Sequence, residues 1–250
     1  MFESAKQKVE RAYQHLAQLE GAAIQFFRTR PYSITADFDE AVQLYGLRVA
    51  MTKPLPPVIP LIVGDFIHNV RSALEHVASD LFAAAAGNEE ARTRSKFPMH
   101  EEEKNLQREV ERSAINAAFP DVAKLIVDQI KPYKAGNRHL WLTGKLWNID
   151  KHRLPIVSYG ITEISGISGF TERGRNTFSN MTAVVEQGRA VGLIATDEPM
   201  TITNYGSATF YVNFDEPGLM EGDPVLQTLL LMAQSVDDAI RAIEAKMPAR

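Results

Sequence analysis

The residues best suited to chemistry lie in one stretch of the chain, residues 64–76, which reads GDFIHNVRSALEH. On an α-helix of about 100° per residue, one side of this stretch and its continuation is polar within a sector of about 80°. Its members are Asp65, Asn69, Ser72, His76 and Asp80. Such short side chains form helices less well than the Lys, Glu, Gln and Arg that usually cover a solvated face. We therefore interpret this side as a hydrogen-bonding face held against another element.

A second polar cluster ends the segment that carries both tryptophans of the chain, Trp141 and Trp147. Its members are Asn148, Asp150, Lys151, His152 and Arg153. From Lys131 to Arg153 there are six Lys or Arg residues and one acid, although the whole chain has a formal net charge of -4. This local excess predicts an anion-binding surface. We expect this surface to contact the polar side of the helix at 64–76. His68 and Arg71 flank that polar side.

Composition excludes several classes of protein. The chain has 250 residues, of which 45% are hydrophobic and 23% are charged, as in an ordinary folded protein and unlike a disordered, collagen or coiled-coil chain. It has no cysteine, which excludes disulfides, thiolate metal sites and cysteine nucleophiles. There is no glycine-rich phosphate loop, and we expect no cofactor and no resident metal. The sequence contains neither a secretory signal nor an apolar stretch of membrane-spanning length, so a cytoplasmic bacterial protein is expected.

Periodicity and punctuation predict the elements that position these residues. Helices are predicted where apolar residues recur at helical spacing, at 4–27, 60–86, 104–118, 120–130, 137–150 and 223–246. Alternating patterns predict a hairpin at 32–51 and two to four antiparallel strands within 156–214.

The predicted fold class is therefore α+β, a helical bundle with a long central helix packed on or beside an antiparallel sheet. We predict one interwoven domain over residues 1–250, in which the early hairpin joins the later strands. The alternative is a mainly helical domain over 1–155, with the hairpin at 32–51, followed by a β-rich region over 156–250 that includes the C-terminal helix.

Four segments in residues 60–155 resemble a widespread bacterial family whose members have no established activity. They read GDFIHNVRSALEHVASDL, KFPM, IKPY and LWNIDKHRL. Within the first of them, RSALEH also resembles the motif of the HEPN superfamily, in which a polar residue follows an arginine and a histidine follows after a short spacer.

The HEPN resemblance implies a helical bundle that is often dimeric and a metal-independent ribonuclease of the toxin or phage-defence type. It implies that Arg71 binds the phosphate and that His76 transfers the proton. An arginine fork suits a developing phosphorane, and histidine titrates near neutrality. We further expect Asp65 or Asn69 to orient the histidine. RNA or another phosphate-bearing ligand would bind at His68, Asn148, Lys151, His152 and Arg153.

Two other functions stay open from the sequence. In one, the chain is a non-catalytic module, and the polar side of the helix forms a buried structural network with Asp150, His152 and Arg153. In the other, it is a metal-dependent hydrolase that uses Asp65, His68, His76, Asp150 and His152 as ligands.

Overall fold

The computed structural model describes residues 1–87, 90, 95–173, 177–186, 189–191 and 195–247. The α-helices in this part are α1 Glu3–Arg28, α2 Val58–Ala86, α3 Glu103–Glu111, α4 Ala114–Ala118, α5 Pro120–Leu125, α6 Arg138–Asp150 and α7 Val225–Lys246. The strands are β1 Tyr32–Asp39, β2 Leu44–Met51, β3 Val157–Thr171, β4 Thr177–Glu186, β5 Arg189–Val191, β6 Ala195–Thr196, β7 Met200–Glu216 and β8 Met220–Pro224. The predicted α+β class and the long helix are confirmed.

The chain forms two compact units, each made of separate segments. The helical unit contains Met1–Gly21, Val58–Ile156 and Val225–Arg250, and the sheet unit contains Ala22–Pro57 and Val157–Pro224. Helix α7 thus belongs to the helical unit, and the early hairpin belongs to the sheet unit. The single domain over 1–250 and its two-part alternative stay predictions.

Helix α2 forms the centre of the helical unit. Its residues at the predicted apolar positions are all buried: Val63, Phe66, Val70, Leu74, Val77 and Leu81. The helix has Pro60 in its first turn, where a missing N–H costs little. It ends at Gly87, whose φ of +67° suits glycine and whose N–H donates to Ala83 O at 2.9 Å. Helices α6 and α7 both pack against α2.

The region between α2 and α6 differs in detail from the sequence prediction. The helix expected over 104–118 is two helices, because Ser113 ends one and caps the next. Its hydroxyl donates to Val110 O at 2.7 Å and accepts from Asn116 N at 3.2 Å. The helix predicted over 120–130 becomes a π-helix at Ile126–Ile130 and ends at Lys131, which has a left-handed backbone.

The sheet unit is one antiparallel sheet in the order β1-β2-β5-β4-β3-β7-β8, with β6 paired to β2. The predicted pairing of the early hairpin with later strands is confirmed, since Arg48 of β2 lies opposite Arg189 of β5. Eight buried residues form its core: Ile34, Leu47, Val49, Ile161, Ile164, Ile167, Ala183 and Met200. The last turns of α1 also pack here, where Phe27 stacks on Phe210 with ring centroids 4.2 Å apart.

Helix α7 buries only part of its leucine-rich surface. Leu229, Val236 and Ile240 are buried, whereas Leu226 and Leu230 are 38% and 40% exposed. No helix in the described part of the chain is long and apolar enough to cross a membrane.

Candidate functional site

Helices α2 and α6 approach closely in the helical unit, and this approach builds the site. Helix α6 begins at a cap in which the Asn137 side chain accepts from Leu140 N at 3.1 Å. The helix then carries Trp141 and Trp147 and ends at Asp150. A Cβ placed on Gly64 of α2 would lie 2.3 Å from Asp150 Oδ1. Only a glycine at this position leaves room for the Asp150 carboxylate where it stands.

A cleft of about 740 Å³ lies beside this helix contact. Helix α2, the segment that follows Ser95, helix α3 and helix α6 all contribute to its walls. The lining residues are Arg71, Glu75, Ser95, Lys96, Phe97, Met99, His100, Glu101, Glu109, Trp141, Gly144, Lys145, Trp147, Asn148 and Lys151. Three of the predicted site residues, Arg71, Asn148 and Lys151, are among them.

Arg71 lies in the cleft wall and contacts Glu75 and Trp147. Its side chain is 8% exposed, and its Nη2 donates to the carboxylate of Glu75, one turn further along α2. Its guanidinium carbon lies 5.5 Å from the centre of the Trp147 ring. Burial lowers the pKa of Arg71, while the charge of Glu75 and the hydrogen bond to it raise that pKa. An arginine stays charged at neutral pH under such opposing effects.

Arg71 nevertheless keeps donor capacity that the protein does not satisfy well. Its Nη1 donates to Met99 Sδ at 3.8 Å, and thioether sulfur is a weak acceptor. Its buried Nε has no hydrogen-bond partner among the residues that the structure describes. A phosphate or carboxylate oxygen would be a much stronger acceptor for the Nη1 donor than sulfur is.

The two tryptophans of α6 make cation–π contacts with several Lys and Arg side chains. Lys151 Nζ lies 3.1 Å from the Trp147 ring centre, on the ring that Arg71 also contacts. Lys134 and Lys145 lie 5.4 Å and 5.3 Å from the Trp141 ring centre. The negative face of an indole ring attracts such charges. The tryptophans therefore hold several positive charges near one cleft.

The charges that line the cleft are incompletely paired. Arg71 pairs with Glu75, Lys145 with Glu101 and His100 with Glu109. Lys96 and Lys151 line the cleft as well, and neither makes an ion pair with any residue that the structure describes. Four Lys and Arg side chains thus face three carboxylates, and the two unpaired lysines are available for an anionic ligand.

The predicted polar side of α2 does not line this cleft. Asn69 is buried, its side-chain amide donates to Asp65 O at 2.8 Å, and Lys8 Nζ of α1 donates to Asn69 Oδ1 at 3.3 Å. The His76 Nδ1 is buried and has no hydrogen-bond partner in the described part of the chain. Asp65 is exposed. The structure thus places Asn69 against α1 and does not bring it or Asp65 to His76 through any hydrogen bond.

The remaining predicted residues lie outside the cleft lining too. His68 Nε2 lies 3.4 Å from Ser72 Oγ on the exposed side of α2. His152 and Arg153 are exposed after the end of α6, and Arg153 donates to Leu154 O at 3.1 Å.

Asp150 has a perturbed carboxyl group at the contact between α2 and α6. Burial raises its pKa, the charge of His68 lowers it, and the charge of Asp65 raises it. The net effect is a pKa above the ordinary aspartate value of 3.8. Across the described ranges, no group of three or more His, Asp or Glu side chains is placed to hold a metal ion.

Sequence reasoning missed several residues of the cleft, above all His100 and Glu109. They are nine positions apart, one in a loop and one on α3, so no helical or strand period connects them. Only the tertiary contact between the His100 ring and the Glu109 carboxylate reveals the pair. Lys96 and Lys145 were missed for the same reason, since a single lysine in a sequence gives no sign of where its charge will lie.

Comparison of the chain with models of protein families, with curated proteins and with solved structures gave no match in any of the three.

Proposed function

We propose that the protein is a metal-independent ribonuclease that binds the phosphates of single-stranded RNA in the cleft between α2 and α6. One observation carries the proposal. Among the described residues, the Nη1 of Arg71 has only a sulfur acceptor, and Arg71 lines the same cleft as Lys96 and Lys151, which have no ion-pair partners there.

The arrangement suits a phosphodiester because its charges are already in place. Arg71 is fixed by Glu75 and by the Trp147 ring, and Lys151 is held on that same ring. Donors that need no reorganisation stabilise a developing negative charge more effectively than mobile ones do. A phosphate oxygen would replace Met99 Sδ as the acceptor of Arg71 Nη1, and the lysines would bind that phosphate or its neighbours.

The role of His76 in this proposal depends on a second copy of the chain. On one helix, residues five apart are separated by about 140°, and His76 is outside the lining of the cleft that contains Arg71. If His76 transfers the proton, it acts on the cleft of a partner subunit. This is the homodimer that the HEPN resemblance implies.

The test is cleavage of total bacterial RNA by the purified protein with excess EDTA present. We expect the wild-type protein to cleave it and Arg71→Gln to lose about 100-fold or more in rate, as for other groups that stabilise a transition-state charge. Arg241→Gln is the matched control, because Arg241 also pairs with an acid one turn away, Asp237, but at the surface. A wild-type protein that cleaves no RNA, or an active Arg71→Gln protein, would contradict the proposal.

A structural role is the second candidate, and the contacts of Glu75 favour it. One carboxylate oxygen accepts from Arg71, and the other accepts from Phe97 N at 3.2 Å. The pair thereby ties α2 to the segment at Phe97. Both candidates expect Arg71→Gln to lower the thermal midpoint, because Glu75 loses its charge partner in either case. The structural candidate differs in expecting the wild-type protein neither to cleave nor to bind RNA.

A further inference from the structure

His100 is fixed in the cleft through its backbone. Its N–H donates to Pro132 O at 3.1 Å, and His100 forms an isolated parallel bridge with Tyr133. His100 is one of the residues that line the cleft with Arg71 and Lys151, and its side chain is 29% exposed. These backbone contacts therefore fix the position of the residue that carries the imidazole.

The ring of His100 is fixed by a carboxylate. Its Nε2 pairs with Oε2 of Glu109 on α3. When Nε2 carries the hydrogen and donates it to Glu109, Nδ1 holds the lone pair and is the basic atom. A histidine oriented by a carboxylate in this way has a defined tautomer and a defined direction for proton transfer.

We propose that His100, oriented by Glu109, is the acid–base group of the cleft and acts on the ribose 2′-hydroxyl of bound RNA. The proposal rests on the ribonuclease function proposed above and names a different histidine from the one that the sequence motif predicts. His100 lines the cleft with Arg71, whereas His76 does not.

The reaction is a transesterification and needs no co-reactant other than solvent. His100 Nδ1 takes the proton of the 2′-hydroxyl, the 2′ oxygen forms a bond to phosphorus, and the bond from phosphorus to the 5′ oxygen breaks. The leaving 5′ oxygen takes a proton from water, and His100 later returns its proton to water. The products are a 2′,3′-cyclic phosphate and a 5′-hydroxyl. Arg71 and Lys151 would neutralise charge on the non-bridging oxygens.

The experiment compares steady-state RNA cleavage by the full-length wild-type protein and four variants. His100→Ala and Glu109→Gln test the pair. His139→Ala and Glu111→Gln are matched controls, because neither residue lines the cleft and Glu111 lies on the same helix as Glu109. Each protein is also assayed with added imidazole, and thermal melting checks that each one is folded.

We expect His100→Ala to lower kcat by about 100-fold or more, the usual contribution of general acid–base catalysis, with little change in KM. Imidazole should restore part of that activity, which a merely structural role of His100 would not allow. Glu109→Gln should lose less in kcat and gain nothing from imidazole, and both controls should match the wild-type protein.

Three results would overturn the assignment. The first is wild-type activity in His100→Ala. The second is a loss in that variant that imidazole does not restore or that appears only in KM. In either case the wild-type protein still cleaves RNA, so the ribonuclease proposal survives. The third is the absence of any cleavage by the wild-type protein, which refutes both proposals together.

Discussion

The carboxylate of Asp150 occupies the space that a side chain on Gly64 would fill, with Oδ1 only 2.3 Å from the position of a Cβ there. The contact joins the second turn of α2 to the last residue of α6. It lies on the same side of α2 as Arg71, since residues seven apart differ by only about 20° around a helix. This one contact therefore sets how closely the helix that carries the tryptophans approaches Arg71.

Gly64→Ala should fail to give the stabilisation that alanine normally brings to a helix interior. An added Cβ must displace the Asp150 carboxylate, and overpacking typically costs about 1–3 kcal/mol. Gly21→Ala is the control, because nothing lies within 4 Å of a Cβ at that position of α1. That change should stabilise the protein by up to about 1 kcal/mol.

Urea denaturation measures the free energy of unfolding of both variants. Combined with Asp150→Ala, which removes the carboxylate beside position 64, Gly64→Ala should change stability as Gly21→Ala does. A Gly64→Ala protein as stable as Gly21→Ala in the wild-type background would show that the carboxylate moves aside at no cost.

The pH dependence of stability should report Asp150. Burial raises its pKa in the folded protein, so the folded chain binds this proton more tightly than the unfolded chain does. Stability from this group is therefore present below the ordinary pKa of 3.8 and is lost as pH rises through the raised folded-state pKa.

Asp150→Asn removes this loss, so the stability of the variant relative to wild type should increase across the same pH window. Asp65→Asn should shrink the effect in the wild-type background, because the charge of Asp65 helps to raise the Asp150 pKa. The measurement is the free energy of unfolding in urea at several pH values. A difference between Asp150→Asn and wild type that is constant with pH would contradict the prediction.

Arg71→Met should lower the free energy of unfolding by about 3 kcal/mol, because it leaves the partly buried Glu75 carboxylate without its charge partner. Glu75 is 25% exposed, and Arg71 is 8% exposed. Arg241→Met is the control, since the Arg241 side chain is 71% exposed and surface ion pairs contribute about 0.5 kcal/mol or less. Equal losses in the two variants, measured by urea denaturation at neutral pH, would show that burial of the Arg71 pair has no energetic effect.

Lys151→Gln should reduce the salt dependence of RNA binding. Each phosphate contact made by a lysine releases condensed counterions, and its loss lowers the slope of log K against log salt by about 0.7 for a single strand. Lys104→Gln is the control, because Lys104 lies on α3 outside the cleft and pairs with Glu102. Fluorescence anisotropy with labelled RNA gives both slopes. An unchanged slope for Lys151→Gln would show that Lys151 does not contact an RNA phosphate.

Local rules predict most of the helices and strands of this protein. The apolar spacing of α2 identifies its buried residues. The predicted helix starts at 120 and 137 and the predicted helix end at 86 agree with the structure to within one residue. These signals work because capping, proline geometry and amphipathic burial act within a few residues along the chain. They fail at Ser113, where one hydroxyl ends a helix and begins the next within a run that looks continuous.

The site depends on information that is not local. Helical geometry fixes which residues of α2 share a side, so the amino-acid order of α2 is enough to predict them. It could not determine which neighbour covers each side, so Asn69 meets Lys8 of α1 while Arg71 meets Trp147 of α6. The pairing of His100 with Glu109 likewise arises only when the segment at His100 packs against α3. Helical periodicity sets angles around one axis, whereas the packing of several elements decides which side chains converge.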